Sequence, residues 1–206
     1  MHRTILVGSP RPDGRSAHLA DELFDACIEE CPDDGVSIIT ISSTDIAPCI
    51  GCNRCEKVTP EAELPERPEK GDPLHQHPLV FKSDAFAHRC FLRDDMDEVR
   101  KHMDAADELI VVCPLYFAST PSQFKALLDR LQPYYFSDLR ERTNVRRSLT
   151  IHIIGEEGNP YGIDACVDTI RSACGCAGFK LDRILDWTGK VTEDGTIIAD
   201  AEETAF

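Results

Sequence analysis

The sequence predicts an α/β fold: a doubly wound, five-stranded parallel sheet in the order 2-1-3-4-5, with helices on both faces. Three observations carry that reading. Short β-branched runs alternate with longer stretches of helical periodicity, which is the signature of βαβ units and a parallel sheet. The run ELIVVC, residues 108–113, is apolar without alternation, as a strand covered on both faces must be. Five strands fit this order better than the six-stranded dinucleotide-binding arrangement.

The elements follow in order. Arg3–Val7 reads as a short buried strand that breaks at once into the turn residues GSPRPDG. From Arg15 to about Glu30, Ala17, Ala20, Leu23, Phe24, Cys27 and Ile28 recur at helical spacing. Asp33-Asp34-Gly35 closes that helix, and Val36–Ile41 is the second strand. The segment DIAPCIGCNRCE then leads into a stretch with prolines at 60, 65, 68, 73 and 78, which predicts a long irregular loop. Asp94 and Asp95 are placed to cap a helix running through Met103, ahead of the third strand, Glu108–Cys113. Thr120-Pro121 opens the next helix, to about Leu131, since the first helical turn has no use for the N–H that proline lacks. Leu149–Ile154 is the fourth strand, Asn159–Cys174 a helix and Leu181–Trp187 the fifth strand. Residues 190–206 read as an acidic C-terminal tail ending in ADAEETAF. The whole chain, 1–206, is one domain on this reading, with residues 56–89 as a proline-rich insertion.

Composition narrows the function classes. With 22 basic and 37 acidic side chains the net charge is −15, which disfavours nucleic acid and anionic membranes as partners. The N-terminus lacks the long apolar stretch of a signal peptide, and no window approaches a membrane span, so a reducing cytoplasm is expected. Ten cysteines are many for a chain of 206 residues that needs no stapling, and in that compartment they point to metal or redox chemistry. Cys27, Cys113 and Cys166 sit among apolar neighbours and read as small buried hydrophobes. Cys31, Cys174 and Cys176 read as bystanders. Cys49, Cys52, Cys55 and Cys90 remain.

In sheets of this class ligands bind at the carboxyl ends of the strands, where the winding reverses. That singles out the loops Gly8–Ser16, Pro114–Thr120 and Gly155–Gly162. In the first, a strand end feeds a helix N-terminus whose unpaired N–H groups suit a phosphate. Ser9 and Ser16 add hydroxyls there, and Arg11 and Arg15 add positive charge. A dianionic phosphomonoester is the natural guest of these groups, the alternative being an ordinary turn with a capping serine. The absence of both GxGxxG and GxxxxGK[ST] argues against a dinucleotide or nucleoside-triphosphate site. In the second loop, Pro114, Leu115, Tyr116, Phe117, Ala118 and Ser119 expose main chain beside aromatic rings, a surface that can lie against a flat heterocycle. The third loop, from Gly155, can close over the other side of that ring. Glu156 and Glu157 read as solvated surface, and no side-chain acid or base is assigned.

The stretches GSPRPDGRS, PCIGCNRC, RCFLRDDM, CPLYFASTPSQFKALLDR and GEEGNPYG together resemble the NADPH-dependent FMN reductase family of flavodoxin-like proteins, and within it the iron–sulfur flavoprotein branch. The resemblance runs from Arg3 to about Gly189, apart from the proline-rich segment. It implies FMN held noncovalently, with Ser9, Arg11, Arg15 and Ser16 at the phosphate, and Pro114–Ser119 with Gly155 about the isoalloxazine. The family usually has asparagine where Arg15 stands. The resemblance also implies homodimers or homotetramers, and electrons passing from NAD(P)H through FMN to a quinone, flavin or other acceptor. The alternative is an iron–sulfur flavoprotein electron carrier served by a ferredoxin, without nicotinamide activity.

Cys49, Cys52 and Cys55 form CxxCxxC, a spacing that lets three thiolates converge on one cluster face. Relatives of the iron–sulfur branch carry a fourth cysteine a few residues further on. In this chain the next one is Cys90, just before the DDM where the last cysteine of this region usually lies, so residues 56–89 read as an insertion between the third and fourth ligands. Loop-closure entropy grows slowly with length and tolerates such an insertion. Three states stay open for the four cysteines: a [4Fe–4S] cluster, no metal, or zinc or a regulatory disulfide, with His75 and His77 as conceivable zinc ligands.

Overall fold

The computed structural model describes residues 1–58, 88–137 and 147–204. Its sheet has six strands in the order β2-β1-β3-β4-β5-β6. The strands β1 (His2–Val7), β2 (Gly35–Thr40), β3 (Glu108–Pro114), β4 (Arg147–Ile154) and β5 (Phe179–Asp186) are parallel throughout. This is the expected doubly wound, flavodoxin-like order, extended by one strand. The added β6 (Glu202–Glu203) lies antiparallel on β5. It was not expected, because two glutamates in an acidic stretch carry no strand signal. Their partners are basic: Arg183 reaches Glu203 at 3.1 Å and Lys190 reaches Glu202 at 2.8 Å.

The helices are α1 (Arg15–Glu30), α2 (Met96–Ala105), α3 (Ser122–Asp129), α4 (Gln132–Phe136) and α5 (Asp164–Cys176). Two boundaries depart from the sequence reading. The helix expected from Asn159 begins only at Asp164, because the Asn159 side chain accepts from the Tyr161 amide and donates to the Gly162 carbonyl, folding those residues into a turn. The helix expected through Leu131 stops at Asp129, and α4 follows as a separate short helix with a proline in its first turn.

Strand residues alternate between two cores, as a period of two requires. Leu6, Leu109, Val111, Cys113, Leu149, Ile151 and Ile153 face a large core shared with α2, α3 and α5. Ile5, Val7, Ile110, Val112 and Ile154 face a smaller one, filled by Leu19 and Ala20 of α1 with Trp187 packed against it. On this second face β4 contributes Thr150 and His152, both buried. His152 accepts a hydrogen bond at Nδ1 from the Trp187 indole N–H at 3.0 Å, which leaves its proton on Nε2.

Burial, aided by the positive charge of Arg183, pushes the His152 pKa down from 6.5 to about 4. Between those two pH values the unfolded chain binds a proton at this residue and the folded chain does not. Stability is therefore lost as pH falls from about 6.5 towards 4. Denaturant titrations across this window should show the wild type losing stability faster than His152→Gln on acidification. Parallel curves for the two proteins would contradict the neutral, buried assignment.

Candidate functional site

The carboxyl ends of β1, β3 and β4 bring the three expected loops to one edge of the sheet. Gly8 sits at their meeting point. Its N–H donates to the Val112 carbonyl at 2.8 Å, and a Cβ added there would lie 2.6 Å from the Phe124 ring, so only glycine lets β1 and α3 approach this closely. Ser9 is buried, and its hydroxyl accepts from the Arg11 amide at 3.1 Å, which holds the loop's shape. Gly14 caps α1 without a side-chain bond, and the amides of Arg15 and Ser16, in the first helical turn, have no intrahelical partner. Ser16 is buried and Arg11 exposed. Arg15 reaches across to Glu156 in the third loop at 2.6 Å, tying the first loop to the third. Glu156 is 80% exposed, so the pair is solvent-screened and easily exchanged for another anion.

The second loop is a tight hairpin. Tyr116 and Ser119 exchange backbone hydrogen bonds of 2.9 and 3.0 Å, and the two residues between them, Phe117 and Ala118, have φ of +51° and +60°. Positive φ at both central positions is turn geometry usually given to Asn-Gly, and a bulky side chain there is strained. The amides of Phe117 and Ala118 make no backbone hydrogen bond among the described residues. The Phe117 side chain stands fully in solvent. At the base of this loop the Thr120 hydroxyl is buried with no hydrogen-bond partner among the described residues. From the sequence, Thr120 reads only as the start of a helix. Gly155 completes the edge: a Cβ there would meet Thr188 at 3.0 Å and Leu115 at 3.4 Å, and its carbonyl accepts from Gly189. These loops therefore bring uncapped amides, a buried orphaned hydroxyl and a strained aromatic turn to one edge of the sheet.

The four remaining cysteines gather elsewhere, beside α3 and α4. Cys49, Cys52, Cys55 and Cys90 all line one cavity of about 420 Å³. Burial, followed by the neighbouring Cys90, Cys49 and Cys52 thiols, pushes the Cys55 thiol pKa up, so those three lie within electrostatic reach of Cys55. Among the described residues no three His, Cys, Asp or Glu side chains are gathered to hold a single metal ion. Cys55 and Cys90 are brought together by a neck: Val58 pairs with His88 in an antiparallel bridge, and the His88 ring meets the Cys55 carbonyl at 3.0 Å. Residues 59–87, the bulk of the expected insertion, and with them His75 and His77, lie outside the described residues.

One buried cation underlies this cavity. Arg130 grips Asp94 with two bonds of 2.6 and 2.9 Å and donates to the Ala47 carbonyl at 2.8 Å. Asp94 also accepts from the Ala47 and Met96 amides, and Asp95 accepts from the Asp45 amide at 2.7 Å. The pair expected as helix caps therefore stitches the 45–47 segment to the start of α2. Burial opposes charge on both partners. The Arg130 bonds and the two amides nevertheless hold Asp94 below its ordinary range, while Asp94 and the nearby Cys90 thiol keep Arg130 firmly charged. Nothing in the sequence marks Arg130, whose partners are 36 and 83 residues away.

The strain in the second loop gives a direct test. Ala118→Gly should raise stability in denaturant titrations, by about 1 kcal/mol, since glycine meets positive φ without steric cost. A loss of stability would mean that Ala118 is not strained in the folded protein.

Comparison with known proteins follows the same lines. The profile of the NADPH-dependent FMN reductase family matches residues 1–146. An iron–sulfur flavoprotein of Methanocaldococcus jannaschii is 32% identical over 128 residues, which are 62% of this chain and 50% of that protein. One of Archaeoglobus fulgidus is 28% identical over 131 residues, 63% of this chain and 44% of that protein. The chain thus spans about half the length of the curated relatives it matches. Among solved structures, RosB with bound 8-demethyl-8-formylriboflavin-5′-phosphate superposes with a TM-score of 0.57 at 14% identity, covering 92% of this chain and 65% of that one. That likeness shows the fold. A profile match across most of the chain, on a sheet with the flavodoxin-like order, places it in a family: the protein belongs to the NADPH-dependent FMN reductases.

Proposed function

We propose that the chain is an FMN-dependent oxidoreductase that accepts electrons from NAD(P)H and passes them to a small-molecule acceptor such as a quinone or a flavin. The observation that carries this reading is the sheet edge itself: the uncapped N-terminus of α1 and the strained Tyr116–Ser119 hairpin meet there. The residues present suit FMN. Arg15, Ser16 and the first amides of α1 would hold the phosphate, with Ser9 shaping the loop and Arg11 adding charge from the rim. Pro114, Leu115 and the hairpin would line the ring, and Gly155 leaves room on the other side. The orphaned Thr120 hydroxyl supports a polar ligand at the loop's base, because a buried hydroxyl without a partner costs about 1–3 kcal/mol until something pairs with it. A bound flavin would supply the redox chemistry, taking hydride equivalents and releasing electrons. The protein's own part is to bind, orient and exclude water, with no side-chain acid or base required.

Exposed Phe117 and Tyr161 at this edge support a homodimer or homotetramer. Among the described residues no helix is long and apolar enough to cross a membrane, and the acidic surface fits a role in the cytoplasm away from nucleic acid.

A second reading is favoured by the neck at Val58 and His88, which delivers Cys90 to the cavity of Cys49, Cys52 and Cys55. Four thiols lining one cavity of about 420 Å³ supply the ligand type and number that an iron–sulfur cluster takes. A [4Fe–4S] cluster there would supply one-electron steps. The chain would then relay electrons from a ferredoxin to the flavin, and its −15 charge would steer basic redox partners.

Titration of apoprotein with FMN and riboflavin tests the first reading. FMN should bind at least tenfold more tightly. Arg15→Ala should weaken FMN about tenfold, the loss of a charge-assisted bond worth about 1.5 kcal/mol, and leave riboflavin unchanged. Equal affinities for the two flavins would overturn the phosphate assignment. Anaerobic bleaching of bound flavin by NADPH supports the enzyme. Bleaching by reduced ferredoxin alone supports the carrier.

A further inference from the structure

The donors of Arg130 can be counted. Its two Nη groups offer four N–H bonds, and all four are taken: Nη1 by the Ala47 carbonyl and Asp94 Oδ2, Nη2 by Asp94 Oδ1 and, at 3.5 Å, the Leu92 carbonyl. The fifth donor, Nε–H, is buried and makes no hydrogen bond of normal geometry among the described residues, with the Cys90 thiol nearby. Arg130 is 1% exposed, and it lines the cavity of the four cysteines. Its bonds also span the interruption in the cysteine motif. Ala47 lies just ahead of Cys49, whereas Leu92 and Asp94 lie just beyond Cys90. A single guanidinium thus joins the arm carrying three thiols to the arm carrying the fourth.

A buried, unpaired N–H on a cation is costly and calls for an acceptor, preferably an anionic one. The sulfurs of a thiolate-ligated cluster are such acceptors, and hydrogen bonds to them help set a cluster's reduction potential. We propose that Arg130 is the positioning residue of the four-cysteine site, holding Cys90 beside Cys49, Cys52 and Cys55 and donating Nε–H to sulfur of the iron–sulfur cluster bound there. The proposal rests on the second reading above, that these cysteines hold a cluster. It adds what replaces the sequence continuity that the insertion removed. Lysine cannot take the role, because a point-charge ammonium lacks the planar fork that serves two arms and a third acceptor together.

The test uses the full chain, reconstituted anaerobically with iron, sulfide and FMN. Four proteins are compared: wild type, Cys90→Ala, Arg130→Lys, and Arg130→Gln combined with Asp94→Asn, which removes the ion pair without stranding a buried carboxylate. Iron and sulfide per chain, FMN per chain and the cluster potential from a spectroscopic redox titration are read for each. Wild type should hold a cluster, and Cys90→Ala should lose it. Both Arg130 variants should keep wild-type FMN while their iron falls severalfold. Any cluster they retain should titrate at a more negative potential, because a reduced, more negative cluster has lost a donor. Wild-type iron and an unchanged potential in both Arg130 variants would overturn the proposal and leave the cluster standing. Parallel loss of FMN and iron in both variants would report a purely structural role and overturn it too. Wild type that takes up no iron would sink the cluster reading itself.

Discussion

Strand β1 is paired on both edges, with β2 on one side and β3 on the other, and the rest of the molecule depends on that constraint. The chain must leave the end of β1 and cover one face with α1, then return to the opposite edge by way of α2 on the other face. The two directions of winding part at this strand, so the loops that follow β1, β3 and β4 gather at its carboxyl end. Gly8 lies at that strand end. Its amide closes onto β3, and its missing side chain admits Phe124 of α3 against the strand end.

The same helix couples these loops to the cysteines. α3 starts at the base of the strained hairpin, beside the orphaned Thr120 hydroxyl, and ends at Arg130 under the four-cysteine cavity. Phe124, Leu127 and Leu128 anchor it in the large core, so the two sites sit at opposite ends of one rigid element. A buried Arg–Asp pair is weak ground for stability, since desolvation offsets most of its attraction. Its value here is geometric. It fixes two segments that lie 47 residues apart in the chain, at Ala47 and Asp94.

Much of this architecture is legible in the sequence. Buried parallel strands are continuous apolar runs, and ELIVVC could be little else. Element order then fixes the sheet order, and the sheet order fixes which loops meet. What escaped has physical reasons. The start of α5 is displaced by an Asx turn at Asn159, a side-chain interaction that outcompetes helical periodicity locally. β6 is two glutamates paired through the backbone to the end of β5, a long-range contact that local composition does not encode. Asp94 does meet the first amide of α2, at Met96, but it and Asp95 also bind the distant 45–47 segment, which spacing does not reveal. Thr120 and Arg130 matter through unpaired atoms, a property of burial that spacing does not encode.

The loops at the carboxyl ends of β1, β3 and β4 are proposed to hold FMN. Amide hydrogen exchange of the apoprotein, with and without FMN, tests that proposal most directly. FMN binding should protect residues 8–16, 114–120 and 155–162, with the hairpin amides of Phe117 and Ala118 among them. Protection confined to other segments, or none at all in the presence of saturating FMN, would contradict it.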